Sequence, residues 1–269
     1  MRKSVMDHVL DWSGRLLLTL ILLFVILPFI VVAIASFNDS AILTFPPKAW
    51  SLHWYANALS YRDFGEGLVN SLKIAGIAAV IALIAGSGFA YVIDRYEFSL
   101  KSLLNGVLMS PLIIPNFTIG LGLLVLSAAA SLPRSLWLVV TVHVIIVMPF
   151  VVRSVYVSLR NFERRYEQAA ESLGATPLHI LLTVTLPLLL PGLISGALFA
   201  AILSFNEFTA SLFVVNQTTQ TLPVAMYNYV REYADPTLAA ISVIYVAVVA
   251  VTLLVVHKIF RLEKVLNVE

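Results

Sequence analysis

The sequence predicts an all-α polytopic membrane protein, and three observations carry that prediction. Of the 269 residues, 60% are apolar and only 12% are charged, with a mean hydropathy of +0.94, whereas a soluble domain carries about a quarter charged residues. The apolar residues gather into six runs, each close to the roughly 20 residues that a helix needs to cross a bilayer. The runs are continuous rather than alternating, which excludes a membrane barrel and leaves helices that satisfy their own backbones.

In chain order, the first run is Leu16–Ala35. It follows Arg2 and Lys3 and ends in Ala33-Ile34-Ala35, which resembles a secretory cleavage pattern, but it is nearly twice as long as a signal's apolar segment. Cleavage would leave an odd number of spans, so the run is expected to be retained. A polar connection, Phe37–Gly67, follows with Phe45, Trp50, Trp54, Tyr55 and Tyr61 and the breaking pair Pro46-Pro47. Its aromatics are expected to seat it at the membrane surface. The second and third runs, Leu68–Ile93 and Ser102–Ser127, are each expected to cross as one helix. The fourth, Trp137–Val157, holds His143, expected to hydrogen-bond a neighbouring helix rather than relay protons. In the fifth, Leu188–Phe205, the residues Gly192, Gly196 and Ala200 repeat every four positions and permit close packing, within the chain or between two chains. Pro187 and Pro191 should kink the start of that helix. The sixth is Leu238–Phe260, and residues 1–269 read as one transmembrane domain.

Lysine and arginine set the orientation, because positively charged loops stay cytoplasmic. Arg2, Lys3, Arg15, Arg95, Lys101, Arg153, Arg160, Arg164, Arg165, Lys258, Arg261 and Lys264 fall on one side. Lys48, Arg62, Lys73, Arg134 and Arg231 fall on the other. Both termini are therefore expected inside, and Phe37–Gly67 outside. A net charge of +2 with scattered basic residues does not suggest a nucleic-acid partner. With no cysteine, neither disulfides nor thiolate metal sites are open to the chain. No clustered His, Asp or Glu set suggests a metal centre or an enzyme.

The longest cytoplasmic loop, about residues 158–185, carries the most specific pattern. Asn161–Leu173 reads as a charged amphipathic helix in which Arg164, Arg165, Glu167 and Glu171 are polar, while Phe162, Ala169, Ala170 and Leu173 give small or apolar surface. Gly174 suits the left-handed position after a helix end. Thr176-Pro177 suits a new start, with Thr as N-cap and Pro at the first helical position.

Gln168-Ala169-Ala170, three residues, Gly174, nine residues, then Val184-Thr185-Leu186-Pro187 resembles the EAA loop of ABC-importer permeases. Gln168 stands where that family has Glu, and Val184 where it has Ile; the spacing is unchanged. The resemblance implies that Gln168, Ala169, Ala170, Glu171, Leu173, Gly174 and Pro187 form the element that couples to an ATPase. It also implies a cytoplasmic ATP-binding subunit dimer, a second permease subunit, an extracytoplasmic solute-binding protein and a bacterial inner-membrane location. This chain would bind no cofactor, with ATP and Mg used by the ATPase. Consistently, none of the six lysines follows a glycine, so no phosphate-cradling loop is present.

Leu203-Ser204-Phe205-Asn206-Glu207-Phe208 with Thr221-Leu222-Pro223 looks like the polyamine and opine branch of these permeases, although Asn206-Glu207 and Pro115-Asn116 carry fewer acids than that branch often has. The branch implies a small amine-bearing solute. Asn116, Asn206 and Glu207 are the expected lining of the solute path, since polar groups in spans must face a cavity or a partner. For Glu207 a solvated carboxylate outside the bilayer stays open, and for Asn116 a helix-breaking turn after Pro115. An ion-gradient-driven secondary transporter is the alternative, although no internal repeat is evident.

Overall fold

The computed structural model describes residues 5–42 and 44–260, and these are mostly helical, with one isolated bridge between Asn38 and Trp50 in the connection after the first helix. In order the elements are α1 (Val5–Ala35), α2 (His53–Ser60), α3 (Arg62–Arg95), α4 (Lys101–Met109), a 3-10 turn (Ser110–Leu112), α5 (Asn116–Ala129) and α6 (Leu136–Asn161). There follow α7 (Arg165–Ser172), α8 (Pro177–Ile180), a π-helical turn (Leu181–Thr185), α9 (Leu186–Phe205), α10 (Ser211–Val214), α11 (Leu222–Glu232) and α12 (Thr237–Phe260).

The helices form two compact units. One holds the chain up to Tyr61 together with Asn228–Val248. There the segment after α1 is pinned by polar contacts: Trp54 Nε1 donates to the Asn38 carbonyl at 2.6 Å, and Asn38 Nδ2 donates to Ile42 O and Thr44 Oγ1, each at 3.0 Å. Trp54 is thus buried structure, whereas Trp50 is exposed. In the same unit Tyr229 donates its hydroxyl to Asp235, whose Oδ1 accepts from Thr237 N at 2.8 Å and so tethers the start of α12.

The other unit holds Arg62–Tyr227 and is built on α3, α6 and α9, which pack on one another. Small and β-branched side chains form their shared core, with Ala79, Ala82, Ala90, Val147, Val151, Val155 and Ala200 all buried. The small-residue stripe of α9 serves this intrachain packing: a Cβ on Gly192 would lie 2.5 Å from Ser158 Cβ and 2.9 Å from the Ser154 carbonyl. α6 and α9 can approach so closely only because position 192 has no side chain.

Among the described residues, four helical stretches are long and apolar enough to cross a membrane: Leu10–Ala35, Arg62–Arg95, Leu136–Asn161 and Pro177–Phe205. The sixth run lies on α12 (Thr237–Phe260). Two expectations are corrected. The third run is not one straight helix, because Lys101–Leu112 and Asn116–Ala129 meet at 106°. Pro115 lacks the N–H that would continue the helix and pushes Ile114 out of the α region, so the chain breaks there. The connection between the first and second runs is also shorter than expected. α3 begins at Arg62, before the apolar run, where Asp63 favours a helix start and Arg62 Nε donates to Glu66 Oε1 at 2.7 Å one turn on.

Candidate functional site

The segment between α6 and α9 forms a bent hairpin. Its first helix is shorter than the sequence suggested, since α6 continues to Asn161, Phe162 is extended (φ −105, ψ 146) and α7 starts only at Arg165. The Phe162 ring packs against the Arg95 guanidinium, 5.1 Å from the ring centroid. At the other end α7 is closed as the sequence predicts. Gly174 has φ +84, its N–H donates to Glu171 O at 2.9 Å, and Ala175 N donates to Ala170 O at 3.1 Å. This is a Schellman closure, in which the left-handed residue satisfies the last carbonyls. Thr176 Oγ1 then accepts from His179 N at 3.4 Å, with Pro177 starting α8.

What the hairpin presents is mixed, with polar side chains beside small and apolar ones. Gln168, Ala169, Glu171 and Gly174 are exposed, Ala170 is half-buried, and Leu173 is 89% exposed. Pro187 sits in the first turn of α9, just after the π-helical turn. Without an N–H on Pro187 the carbonyl of Thr183 loses its α-helical donor, and the chain widens into the π turn there.

Glu167 faces the other way, and this the sequence did not disclose. Its Oε2 lies 3.0 Å from Arg95 Nη2, and its Oε1 accepts from Thr185 Oγ1 at 2.7 Å. Asp94 Oδ2 accepts from Arg95 Nη1 at 2.6 Å. Asp94-Arg95 reads in the sequence as ordinary loop charge at the end of an apolar run; only the packed helices reveal a buried network.

At the far end of α9 the structure joins two of the three expected path residues. Asn116, the first residue of α5, donates from Nδ2 to Glu207 Oε2 at 2.6 Å, and Ala210 N donates to Glu207 Oε1 at 2.7 Å. Glu207 is 7% exposed, so it is not a solvated carboxylate. Asn116 does follow the Pro115 break, and it also binds Glu207. Asn206 stays apart from the pair, exposed, with Nδ2 donating to Ile202 O at 2.8 Å.

His143 holds this region together, as a hydrogen-bonded histidine between helices. Its Nδ1 lies 2.7 Å from Ser204 Oγ and its Nε2 lies 2.8 Å from Ser211 Oγ. Ser211 Oγ donates its only hydrogen to the Glu207 carbonyl at 3.0 Å. It must therefore accept from His143 Nε2–H, which leaves Nδ1 to accept from Ser204. The relay ties α6, α9 and α10 to the backbone of Glu207.

The family of binding-protein-dependent transport system inner membrane components matches residues 78–263, a stretch holding the hairpin, the Asn116–Glu207 pair and all of α9. The chain belongs to this family. Among relatives, the spermidine/putrescine transport system permease protein PotC of Escherichia coli (strain K12) is 29% identical over 235 residues, covering 86% of this chain and 89% of that protein. The putative 2-aminoethylphosphonate transport system permease protein PhnV of Salmonella paratyphi A (strain ATCC 9150 / SARB42) is 31% identical over 256 residues, covering 94% of each. In fold the chain is similar to a bacterial ABC transporter involved in import of the acidic polysaccharide alginate, with a TM-score of 0.77, 18% identity and coverage of 96% and 99%. Family membership makes the chain an inner-membrane permease component of an ABC importer, and a transport protein rather than an enzyme. It leaves the ion-gradient reading without support.

Proposed function

We propose that this chain is one of two permease subunits of an ATP-driven importer and forms, over its whole length, part of the path for a small amine-bearing solute. The hairpin between α6 and α9 is the docking element for a cytoplasmic ATP-binding subunit dimer, which uses ATP and Mg. An extracytoplasmic binding protein delivers the solute. Both termini lie in the cytoplasm, and the broken third run and α12 each count as one of six crossings.

Glu207 carries the reading of the solute. It is a buried carboxylate with two hydrogen bonds and, among the described residues, no cationic side chain paired with it. A low-dielectric carboxylate lacking a fixed cation favours a mobile one. An ammonium group is also common to the solutes in the names of PotC and PhnV. Asn116 orients that carboxylate, and Asn206 lines the path nearby. The docking role is supported by the Schellman bend of the hairpin and by its match to the EAA spacing.

The decisive experiment is assembly and uptake. The chain, co-expressed with its neighbouring permease and ATPase, should co-purify with both and drive ATP-dependent uptake of a labelled amine into liposomes supplied with the binding protein. Assembly without amine uptake would overturn the solute reading. Failure to bind any ATPase would overturn the docking reading.

A further inference from the structure

We propose that Arg95 is a positioning residue that fastens the docking helix α7 to the inner end of α3, so that movement of the hairpin reaches α3 through a buried ion pair as well as passing along the chain into α9. The proposal rests on the reading of the hairpin as the docking element. Arg95 is the last residue of α3, and its side chain is 6% exposed. Its guanidinium is bounded by Asp94, by Glu167 of α7 and by the rings of Phe162 and Tyr91. Arg164 Nη2 adds a hydrogen bond to the Arg95 carbonyl at 3.2 Å. Through Thr185, the same Glu167 also holds the last residue of the π-helical turn. One carboxylate of α7 therefore meets both α3 and the turn that leads into α9, although α4, α5 and α6 separate α3 from α7 along the chain.

Two properties of this joint point beyond stability. Buried ion pairs are a poor way to stabilise a fold, since apolar residues of similar size often do as well or better. Moreover, Arg95 Nε and Nη2 have no aligned hydrogen-bond acceptor among the described residues, although Nη2 touches Glu167 as an ion pair. A guanidinium held by charge rather than by a saturated fork tolerates a change of angle while keeping its partner. Arg160 Nη1, 4.0 Å from Asp94 Oδ1, supplies a second cation to a cluster that otherwise holds two carboxylates and one guanidinium.

The test uses the assembled transporter in liposomes and reads solute imported per ATP hydrolysed. R95Q and E167Q should each lower that ratio about ten-fold, and R95Q/E167Q should lose no more than either alone, because both remove the same link. E167Q keeps an oxygen for Thr185 and decides the matter where R95Q does not assemble. In the same complexes, A169C should still cross-link to a cysteine in the ATPase groove, since the docking face is untouched. An unchanged ratio in E167Q, or losses that multiply in the double variant, would overturn the role of Arg95. Absence of the cross-link when Arg95 is intact would instead overturn the docking reading.

Discussion

Asn116 and Glu207, 91 positions apart, meet at 2.6 Å where the broken third run resumes as α5 and where α9 has just ended. One carboxylate therefore links the two interruptions of the apolar helices on that side of the unit. Replacing Glu207 by Gln removes the charge and keeps one acceptor oxygen, so either Asn116 Nδ2 or Ala210 N loses its partner. At an effective dielectric of about 20, a charge near the path is worth several kcal/mol to a cation. E207Q should raise the KM for uptake of an amine about ten-fold or more. Transport kinetics at matched expression check this, and an unchanged KM would leave Glu207 with a structural role alone.

Gly174 can be probed separately from any span. At φ +84 a β-branched side chain strains the backbone, costing about 1 kcal/mol or more. G174V should insert normally yet abolish binding-protein-stimulated ATP hydrolysis, as should A170D, which puts a charge on the half-buried side of α7. If both variants hydrolyse ATP like the parent, the hairpin does not couple.

His143 should matter for stability first. H143L would leave the hydroxyls of Ser204 and Ser211 facing an apolar side chain, and losing a buried polar partner costs about 1–3 kcal/mol per group. Thermal unfolding of the detergent-purified chain should show a lower Tm for H143L and a smaller drop for S204A, which removes one partner only. Equal Tm values would mean that the relay is not holding α6, α9 and α10 together.

The close approach of α6 and α9 at Gly192 admits a paired test. Overpacking a tight site costs about 1–3 kcal/mol, so G192A should lower Tm measurably. S158G, which removes the nearest obstructing atom, should restore part of the loss in the same chain. A G192A protein as stable as the parent would show that the two helices move apart without penalty.

The broad architecture was legible in the sequence because lipid imposes a simple code: long apolar runs, few charges and punctuating prolines. The Gly174 bend and the Thr176-Pro177 restart were equally readable, since only particular residues suit a left-handed closure and a helix start. Pro115 was visible too, yet the run Ser102–Ser127 looks continuous by hydropathy alone, and a sharp bend leaves no mark on composition. The pairing of Asn116 with Glu207, the relay through His143 and the Arg95–Glu167 link could not be read. Each joins residues from separate helices, and one sequence contains no record of which polar groups meet.

The 106° break between Leu112 and Asn116 has a consequence for what must lie beside it. A helix end leaves carbonyls without partners and a helix start leaves N–H groups without them, and hydrocarbon supplies neither donors nor acceptors. Ile113, at the break, is 85% exposed in the isolated chain. A bilayer cannot solvate this stretch as it solvates the flanks of α1. Within the membrane the break must be wetted or sheathed, and a lone copy of the chain surrounded by lipid is an incomplete solute for that solvent.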